Sequence, residues 1–403
     1  MILVTGMGVL APNGLGVERF WDAVLAGRGG IAPLTRFDTS RSSARLAGQV
    51  ADFEAAEHLP SRLLPQTDIS TRMALVAAQW ALDDAKVDTA AMTDYDMGVV
   101  TGNASGGFEF THREFNKLWS RGSEHVSVYE SFAWFYAVNT GQISIRHGMR
   151  GPSSALVAEQ AGGLDAVGHA RRTVHRGTPL VVTGGVDSAL DPWGWASHLA
   201  SGEVSTSAEP DRAYLPFDAE ATGYVPGEGG AMLVVEQAAA ARARGVPKVH
   251  GEIAGYASTF DPPPDSGKPS GLRRAAELAL ADAGMGPGDI DIVFADAAGV
   301  PDRDRDEAAA IEAVFGADGV PVTASKPLTG RLFSGAGPLD IVTALLSIRD
   351  SVIPPTACTT LAADYRIDLV LGAPRPATVG AALVLARGRW GFNSAVVVRA
   401  VTD

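Results

Sequence analysis

Two short patterns recur in the same order, about half a chain apart. Ala81-Leu82-Asp83-Asp84-Ala85 precedes the β-rich run Met97-Gly98-Val99-Val100, and Ala279-Leu280-Ala281-Asp282-Ala283 precedes Ile292-Val293-Phe294-Ala295. Farther along, Gly163-Leu164-Asp165-Ala166-Val167 and Pro338-Leu339-Asp340-Ile341-Val342 each open a helical pattern after a glycine-rich turn. One such match means little, because Ala and Leu are common. Two in the same order argue for a duplicated unit. The halves join near Gly245–Gly255, which divides the chain into residues 1–245 and 246–403. Their content sets the class. Leu180–Gly185, Met232–Val235, Ile292–Ala295 and Ala382–Leu385 read as buried strands. Asp68–Ala85 is helical, with Ile69, Met73, Val76, Ala77 and Trp80 at helical spacing. Strands alternating with Ala-rich helices predict a layered α/β protein.

Charge and cysteine content narrow the function. Acidic side chains number 46 and basic ones 33, a net charge of −13. That balance argues against nucleic acid or an anionic membrane as the main partner. The single cysteine, Cys358, excludes an intramolecular disulfide and a multi-cysteine metal site. No uninterrupted apolar run reaches ~18 residues, so no transmembrane helix is expected. Met1–Gly6 has no basic residues ahead of its apolar ones and reads as a strand of the fold rather than a signal peptide. The expected location is the cytoplasm.

One stretch departs from the pattern. Nine of the 28 aromatic side chains fall between Phe108 and Tyr136. The plain reading is a core excursion. The alternative is an insertion, about residues 104–140, that caps a cavity or lines a subunit interface, where aromatics are enriched. Phe132, Trp134, Phe135 and Tyr136 are its interface candidates.

Several motifs look chemical and are not. Gly6-Met7-Gly8-Val9-Leu10-Ala11 matches the dinucleotide fingerprint, but Pro12-Asn13-Gly14 stands where the pyrophosphate-binding helix would begin. A tight strand-to-loop turn is expected instead. His169 and His175 share a helix but lie six apart, so they do not stack as metal ligands. Cys358 has no following helix and no nearby histidine, which makes it a loop thiol.

The run Gly151–Gly168 is different. A short apolar stretch ends in a small-residue turn and then a helix. That geometry presents the turn residue at a helix N-terminus, where backbone N–H groups favour negative charge. It suits a nucleophile that needs a lowered pKa, such as cysteine. The turn residue here is Gln160.

Over essentially its whole length the chain resembles the β-ketoacyl synthases. Thr5-Gly6-Met7-Gly8 matches their opening, Asp218 through Tyr224-Val225-Pro226-Gly227-Glu228-Gly229-Gly230 their mid-chain glycine motif, and Trp390-Gly391-Phe392-Asn393-Ser394 their C-terminal Gly-Phe loop. Ala158-Glu159-Gln160-Ala161-Gly162-Gly163, together with Phe108–Phe115, resembles one branch. That branch is the chain length factor, or ketosynthase beta subunit, of type II aromatic polyketide synthases. The resemblance implies a thiolase-like fold: two duplicated α/β halves in a five-layered arrangement. It also locates three departures. Gln160 replaces the cysteine, Asp296 the first histidine and Arg331 the second, while the family's lysine and glutamate survive as Lys326 and Glu307.

Claisen condensation needs an acyl-accepting thiolate and donors that stabilise enolate charge. A glutamine amide cannot hold the growing chain, and Asp296 would put negative charge where the enolate forms. The subunit is therefore expected not to condense by itself. A charge pair of Asp296 or Glu307 with Arg331 or Lys326 would hold the vacant site together, with Lys326–Glu307 the expected contact. The resemblance implies a heterodimer with a cysteine-bearing ketosynthase alpha subunit that works on acyl carrier protein substrates. No cofactor or metal would bind directly; the carrier's phosphopantetheine arm would act at the partner. This chain would shape the interface tunnel that holds the growing poly-β-ketone and limits its length. The family's chain-length determinants carry over to Phe108, Thr111 and Phe115, whose i, i+3, i+7 spacing lets one helix face bear all three. Two alternatives stand beside this reading: a glutamine-type malonyl-carrier decarboxylase that supplies the acetyl primer, and an inactive scaffold.

Overall fold

The computed structural model describes residues 1–263 and 266–401. The main path of the large sheet takes five strands from the first half: β1 (Ile2–Ala11), β2 (Met97–Gly102), β3 (Ser153–Leu156), β4 (Leu180–Asp187) and β5 (Gly229–Gln237). Five come from the second: β6 (Gly251–Phe260), β7 (Ile292–Phe294), β8 (Pro321–Thr323), β9 (Ala381–Arg387) and β10 (Phe392–Arg399). Running outward from the middle, the order is β1-β5-β4-β2-β3 on one side and β6-β10-β9-β7-β8 on the other. Each half thus places its first, fifth, fourth, second and third strands in sequence. The two sheets touch only where Leu3 and Val4 of β1 pair with Glu252 and Gly251 of β6.

Helices complete the layers. α1 (Ile69–Asp84) covers the outer face of the first sheet, and α6 (Leu272–Ala283) the outer face of the second. α4 (Gly162–His175) and α9 (Ala336–Asp350) lie between the sheets and touch both. The result is the expected five-layered, thiolase-like arrangement. The inner core joins Val100, Leu164, Val167, Leu339, Val342 and Val396. Because α9 has protein on all sides, its residues Ala336 to Ser347 are buried without a polar face.

The duplication extends to single atoms. A Cβ added at Gly6 would lie 2.0 Å from the Ala81 carbonyl oxygen, and one added at Gly255 would lie 2.2 Å from that of Ala279. Met7 N–H donates to Asp84 Oδ2 at 2.9 Å, and Tyr256 N–H donates to Asp282 Oδ2 at 2.9 Å. The repeated Ala-Leu-x-Asp-Ala pattern is therefore the underside of a helix laid directly on a strand. Gly6 serves this packing, and Gly8 makes the same approach, 2.0 Å from the Ala77 carbonyl oxygen. β1 stays buried to Ala11 and makes the expected tight turn at Pro12-Asn13, but into a short antiparallel strand, Gly14–Leu15, rather than a loop.

Between β2 and β3 the chain makes α2 (Phe108–Arg121), a short turn of helix and α3 (Val138–His147). The aromatic stretch divides between core and surface. Phe110 is 1% exposed and belongs to the core, whereas Trp134 and Phe135 are each 48% exposed. Among the described residues no helix is long and apolar enough to cross a membrane, and no cluster of His, Cys, Asp and Glu could hold a metal ion.

Candidate functional site: a nucleophile elbow without a nucleophile

β3 ends at Leu156, and one turn of 3₁₀ helix, Glu159–Ala161, leads into α4. Gln160 is fully buried at that helix entrance, the position a nucleophile would take. Glu159 just before it has φ 51°, the left-handed conformation of a sharp strand-to-helix turn.

Three other segments converge there. β7 delivers Asp296, α8 (Lys326–Thr329) starts at Lys326 and leads to Arg331, and β9 ends at Arg387. The mid-chain glycine motif braces Arg331: its N–H donates to the Val225 carbonyl at 2.8 Å, and Gly227 N–H donates to the Arg331 carbonyl at 3.0 Å.

Gln160 Nε2 donates to Asp296 Oδ1 at 2.9 Å. The same oxygen accepts Arg387 N–H at 2.9 Å, while Arg331 Nη1 donates to Asp296 Oδ2 at 3.2 Å. Arg331 Nη2 donates to the Arg387 carbonyl at 2.7 Å and lies 3.6 Å from Glu159 Oε2. Burial opposes the charge on Asp296, but Arg331 and Lys326 outweigh it and hold the carboxyl below its ordinary range. The expected Asp296–Arg331 pair is therefore present, with each side chain 1% exposed.

The expected Lys326–Glu307 pair does not form. Glu307, on α7 (Pro301–Phe315), turns both oxygens to the loop after β7, accepting Asp296 N–H at 2.7 Å and Ala297 N–H at 2.8 Å. Burial, with the Asp296 charge beside it, pushes the Glu307 carboxyl up to about 8. Lys326 donates to the Ala295 carbonyl at 2.6 Å and forms its ion pair with Asp340 of α9. The repeat places Asp340 opposite Asp165 of the first half, but Asp165 accepts a hydrogen bond from Tyr256, so nothing in the sequence pairs Asp340 with Lys326. Nothing in the sequence marks the contribution of the Arg387 backbone. The acid of the cluster is neutralised and one Gln160 Nε2 proton is engaged, while Gln160 Oε1 is buried without a hydrogen-bond partner among the described residues; none of these side chains is a thiolate nucleophile.

The candidate gate residues lie elsewhere, on α2. The rings of Phe108 and Phe115 stand 5.2 and 5.7 Å from the ring of Trp193 on α5 (Pro192–Ala200). Thr111 is 6% exposed, and its hydroxyl has no hydrogen-bond partner among the described residues. The structure thus brings the two phenylalanines together and adds Trp193, which sequence spacing could not reveal from 78 positions beyond Phe115. Phe115, Trp119 and Trp193 line a cleft of about 270 Å³ with His112, Asn116 and Pro192. Of the interface candidates, Trp134, Phe135 and Tyr136 are exposed and Phe132 is half-buried. Phe132 and Phe135 border an apolar groove of about 570 Å³ that continues along α3 to Ile145, itself 76% exposed.

Comparison with known proteins agrees with this geometry. The β-ketoacyl synthase N-terminal domain model matches residues 1–241, and the C-terminal domain model matches residues 250–360. An actinorhodin polyketide β-ketoacyl synthase 2 of Streptomyces coelicolor is 70% identical over 99% of this chain and 98% of its own length. The tetracenomycin polyketide synthase ketoacyl synthase beta subunit of Streptomyces glaucescens is 57% identical over 99% and 98%. Among solved structures, the ishigamide ketosynthase/chain length factor superposes with a TM-score of 0.90 at 26% identity, covering 100% of this chain and 99% of that one. A type II acyl carrier protein in complex with its hexaketide-bound ketosynthase gives a TM-score of 0.87 at 25% identity, covering 99% of each chain.

Proposed function

The chain belongs to the β-ketoacyl synthase family, as a ketosynthase beta subunit of the type II polyketide synthases, and from that membership we propose how it works as a chain length factor. It pairs with a cysteine-bearing ketosynthase, which takes malonyl units from acyl carrier protein and carries out each condensation. This subunit supplies walls to the tunnel that receives the poly-β-ketone in aromatic polyketide biosynthesis, in the cytoplasm. The carrier's phosphopantetheine arm reaches the partner's cysteine, and nothing is bound covalently here.

One observation carries this reading: the buried Gln160–Asp296–Arg331 cluster. Chain extension needs a thiolate to hold the acyl group and positive or N–H character to meet the enolate. Gln160 offers no thiolate, and Asp296 holds a negative charge that Arg331 already neutralises. The decarboxylase alternative would need the Gln160 amide N–H aimed at a thioester oxygen. Asp296 takes one of the two Nε2 protons, and Asp296 and Arg331 stand where the resemblance places the histidines, which counts against the alternative.

Length control belongs to the cluster of Phe108, Trp193 and Phe115, whose rings meet at tilted angles, with Thr111 on the same helix. Rigid aromatic walls exclude water from a reactive polyketone and stop extension where the space ends. The test is co-expression of the Phe115→Ala chain with its ketosynthase, followed by product mass. Longer products from an intact heterodimer are expected. An unchanged length distribution would overturn the gate, and elongation of malonyl-carrier by this chain alone would overturn the non-condensing assignment.

A further inference from the structure

The elbow holds a second acidic side chain besides Asp296. Glu159 Oε2 accepts two backbone N–H groups: that of Gln160 at 3.0 Å, and that of Arg389, in the turn between β9 and β10, at 2.9 Å. The Arg331 guanidinium stands 3.6 Å from the same oxygen. Two N–H groups that meet at one point, one of them from the residue in the nucleophile's place, have the geometry of an oxyanion hole, whose donors stand about 2.7–3.1 Å from the oxygen they stabilise. Here the oxygen at that point belongs to the chain itself.

Both donors are held independently of the Glu159 side chain. Gln160 is fixed by its amide bond to Asp296. Arg389 is fixed from two directions. Gly388 sits so close to the elbow that a Cβ there would lie 2.4 Å from the Ala158 carbonyl oxygen. The Arg389 guanidinium donates to the Ser201 carbonyl at 3.1 Å and meets Glu203 at 3.0 Å. Glu159 instead reaches the two N–H groups from a left-handed turn, φ 51°, which is strained for any residue with a Cβ. The Ser334 hydroxyl holds that turn by donating to the Glu159 carbonyl at 2.9 Å.

We propose that the elbow retains a working oxyanion hole, made by the N–H groups of Gln160 and Arg389 and faced by Arg331, and that Glu159 closes it by placing its carboxylate where a thioester oxygen would sit. This rests on the non-condensing reading above and deepens it. The chain is silenced at two separable points: no thiolate takes the acyl group, and no free pair of donors meets its carbonyl oxygen. A carboxylate suits the second task, because charged acceptors bind N–H donors more strongly than a neutral carbonyl does. The elbow therefore does not compete with the partner's cysteine for acyl groups arriving on the carrier.

The experiment uses the heterodimer with a ketosynthase whose own cysteine is replaced by alanine. Three forms of this chain are compared: Gln160→Cys, Gln160→Cys/Glu159→Gly and Gln160→Cys/Glu159→Gln. Gly fits the left-handed turn and vacates the hole, whereas Gln keeps an amide oxygen in it. Acetyl-CoA tests the hole. The introduced thiolate attacks the thioester carbonyl, whose oxygen becomes an oxyanion; the new thioester forms as coenzyme A leaves as a thiolate and takes up a proton. Iodoacetamide is the reference, since alkylation displaces iodide without forming an oxyanion. Peptide mass spectrometry reads both rates, with the free thiol of Cys358 as internal standard. The ratio of acetylation to alkylation at the introduced thiol is expected to rise at least ~10-fold with Glu159→Gly and to stay low with Glu159→Gln. A ratio unchanged by Glu159→Gly, or raised equally by Glu159→Gln, overturns the proposal. If the introduced thiol reacts with neither reagent, crystals of the Glu159→Gly heterodimer soaked in formate decide. A formate oxygen bridging the two N–H groups is expected, and an empty or collapsed hole overturns the proposal. Any of these failures leaves the non-condensing reading standing, because Gln160 still supplies no thiolate; that reading falls only if the unaltered chain alone elongates malonyl-carrier.

Discussion

Lys326 and Asp340 keep opposite charges where only 2% of either side chain is exposed. Such a pair gains little over an apolar replacement, but losing one partner strands the other in a medium that cannot solvate it. Lys326→Met is therefore expected to destabilise the chain by about 3–5 kcal/mol, and Lys326→Met/Asp340→Leu to recover most of that loss. Urea titration of the two variants decides it; equal losses would mean that the pair does not bear on stability. The same logic explains why Asp296 and Arg331 are paired. A buried carboxylate in the first histidine's place requires a buried cation, and the guanidinium in the second histidine's place provides it.

At the scale of elements, Asp68 links two helices. It caps α1, accepting Ser70 N–H at 2.8 Å on Oδ1, and its Oδ2 accepts Phe110 N–H at 2.9 Å in the first turn of α2. Burial, and then the charge of Glu109, push its carboxyl up to about 6 despite these hydrogen bonds. A carboxyl raised on folding binds its proton more tightly in the folded state than in the unfolded chain, where it titrates near ~4. Its stabilising share is complete below that pH and is lost as pH rises through about 6. Asp68→Asn keeps the cap and cannot titrate. The stability of the original chain relative to this variant is expected to fall by about 2–3 kcal/mol between pH 4 and pH 7. Urea titrations across that range test it, and a constant or rising difference would contradict the assignment. The base of α2 therefore rests on a group that titrates just below neutrality.

At the scale of the molecule, one side is unfinished. β3 is the last strand of its sheet, with its outer edge unpaired among the described residues, and Trp134, Phe135 and Ile145 are exposed nearby in sequence. An open edge with large apolar side chains is a liability for a monomer. The expectation is that the ketosynthase covers this face, in an interface above ~2,000 Å² as for obligate pairs. Interface energy concentrates in a few central aromatics. Trp134→Ala/Phe135→Ala is expected to weaken the heterodimer by about 2 kcal/mol or more, roughly 30-fold in Kd. Sedimentation of the mixed subunits measures it, and unchanged association would move the interface off this face.

Much of this architecture was legible in order alone. Strand and helix depend on neighbours two to four positions away, so Ile69 through Trp80 declared α1, and the paired Ala-Leu-x-Asp-Ala runs declared the two halves. The elbow at Gln160 was equally local, since a short strand, a turn and a helix follow one another without interruption. The partner of Lys326 and the tryptophan between Phe108 and Phe115 were not legible. Glu307 and Lys326 were expected to meet because both survive from the family site. Their contacts depend on which loop each helix faces after α9 is buried between two sheets. Only the closed fold brought the loop after β7 to Glu307, Asp340 to Lys326 and Trp193 to α2. The sequence by itself determined the layers and the missing nucleophile; the tertiary structure decided every long-range pairing, because a buried charge or ring takes whichever partner the packing delivers.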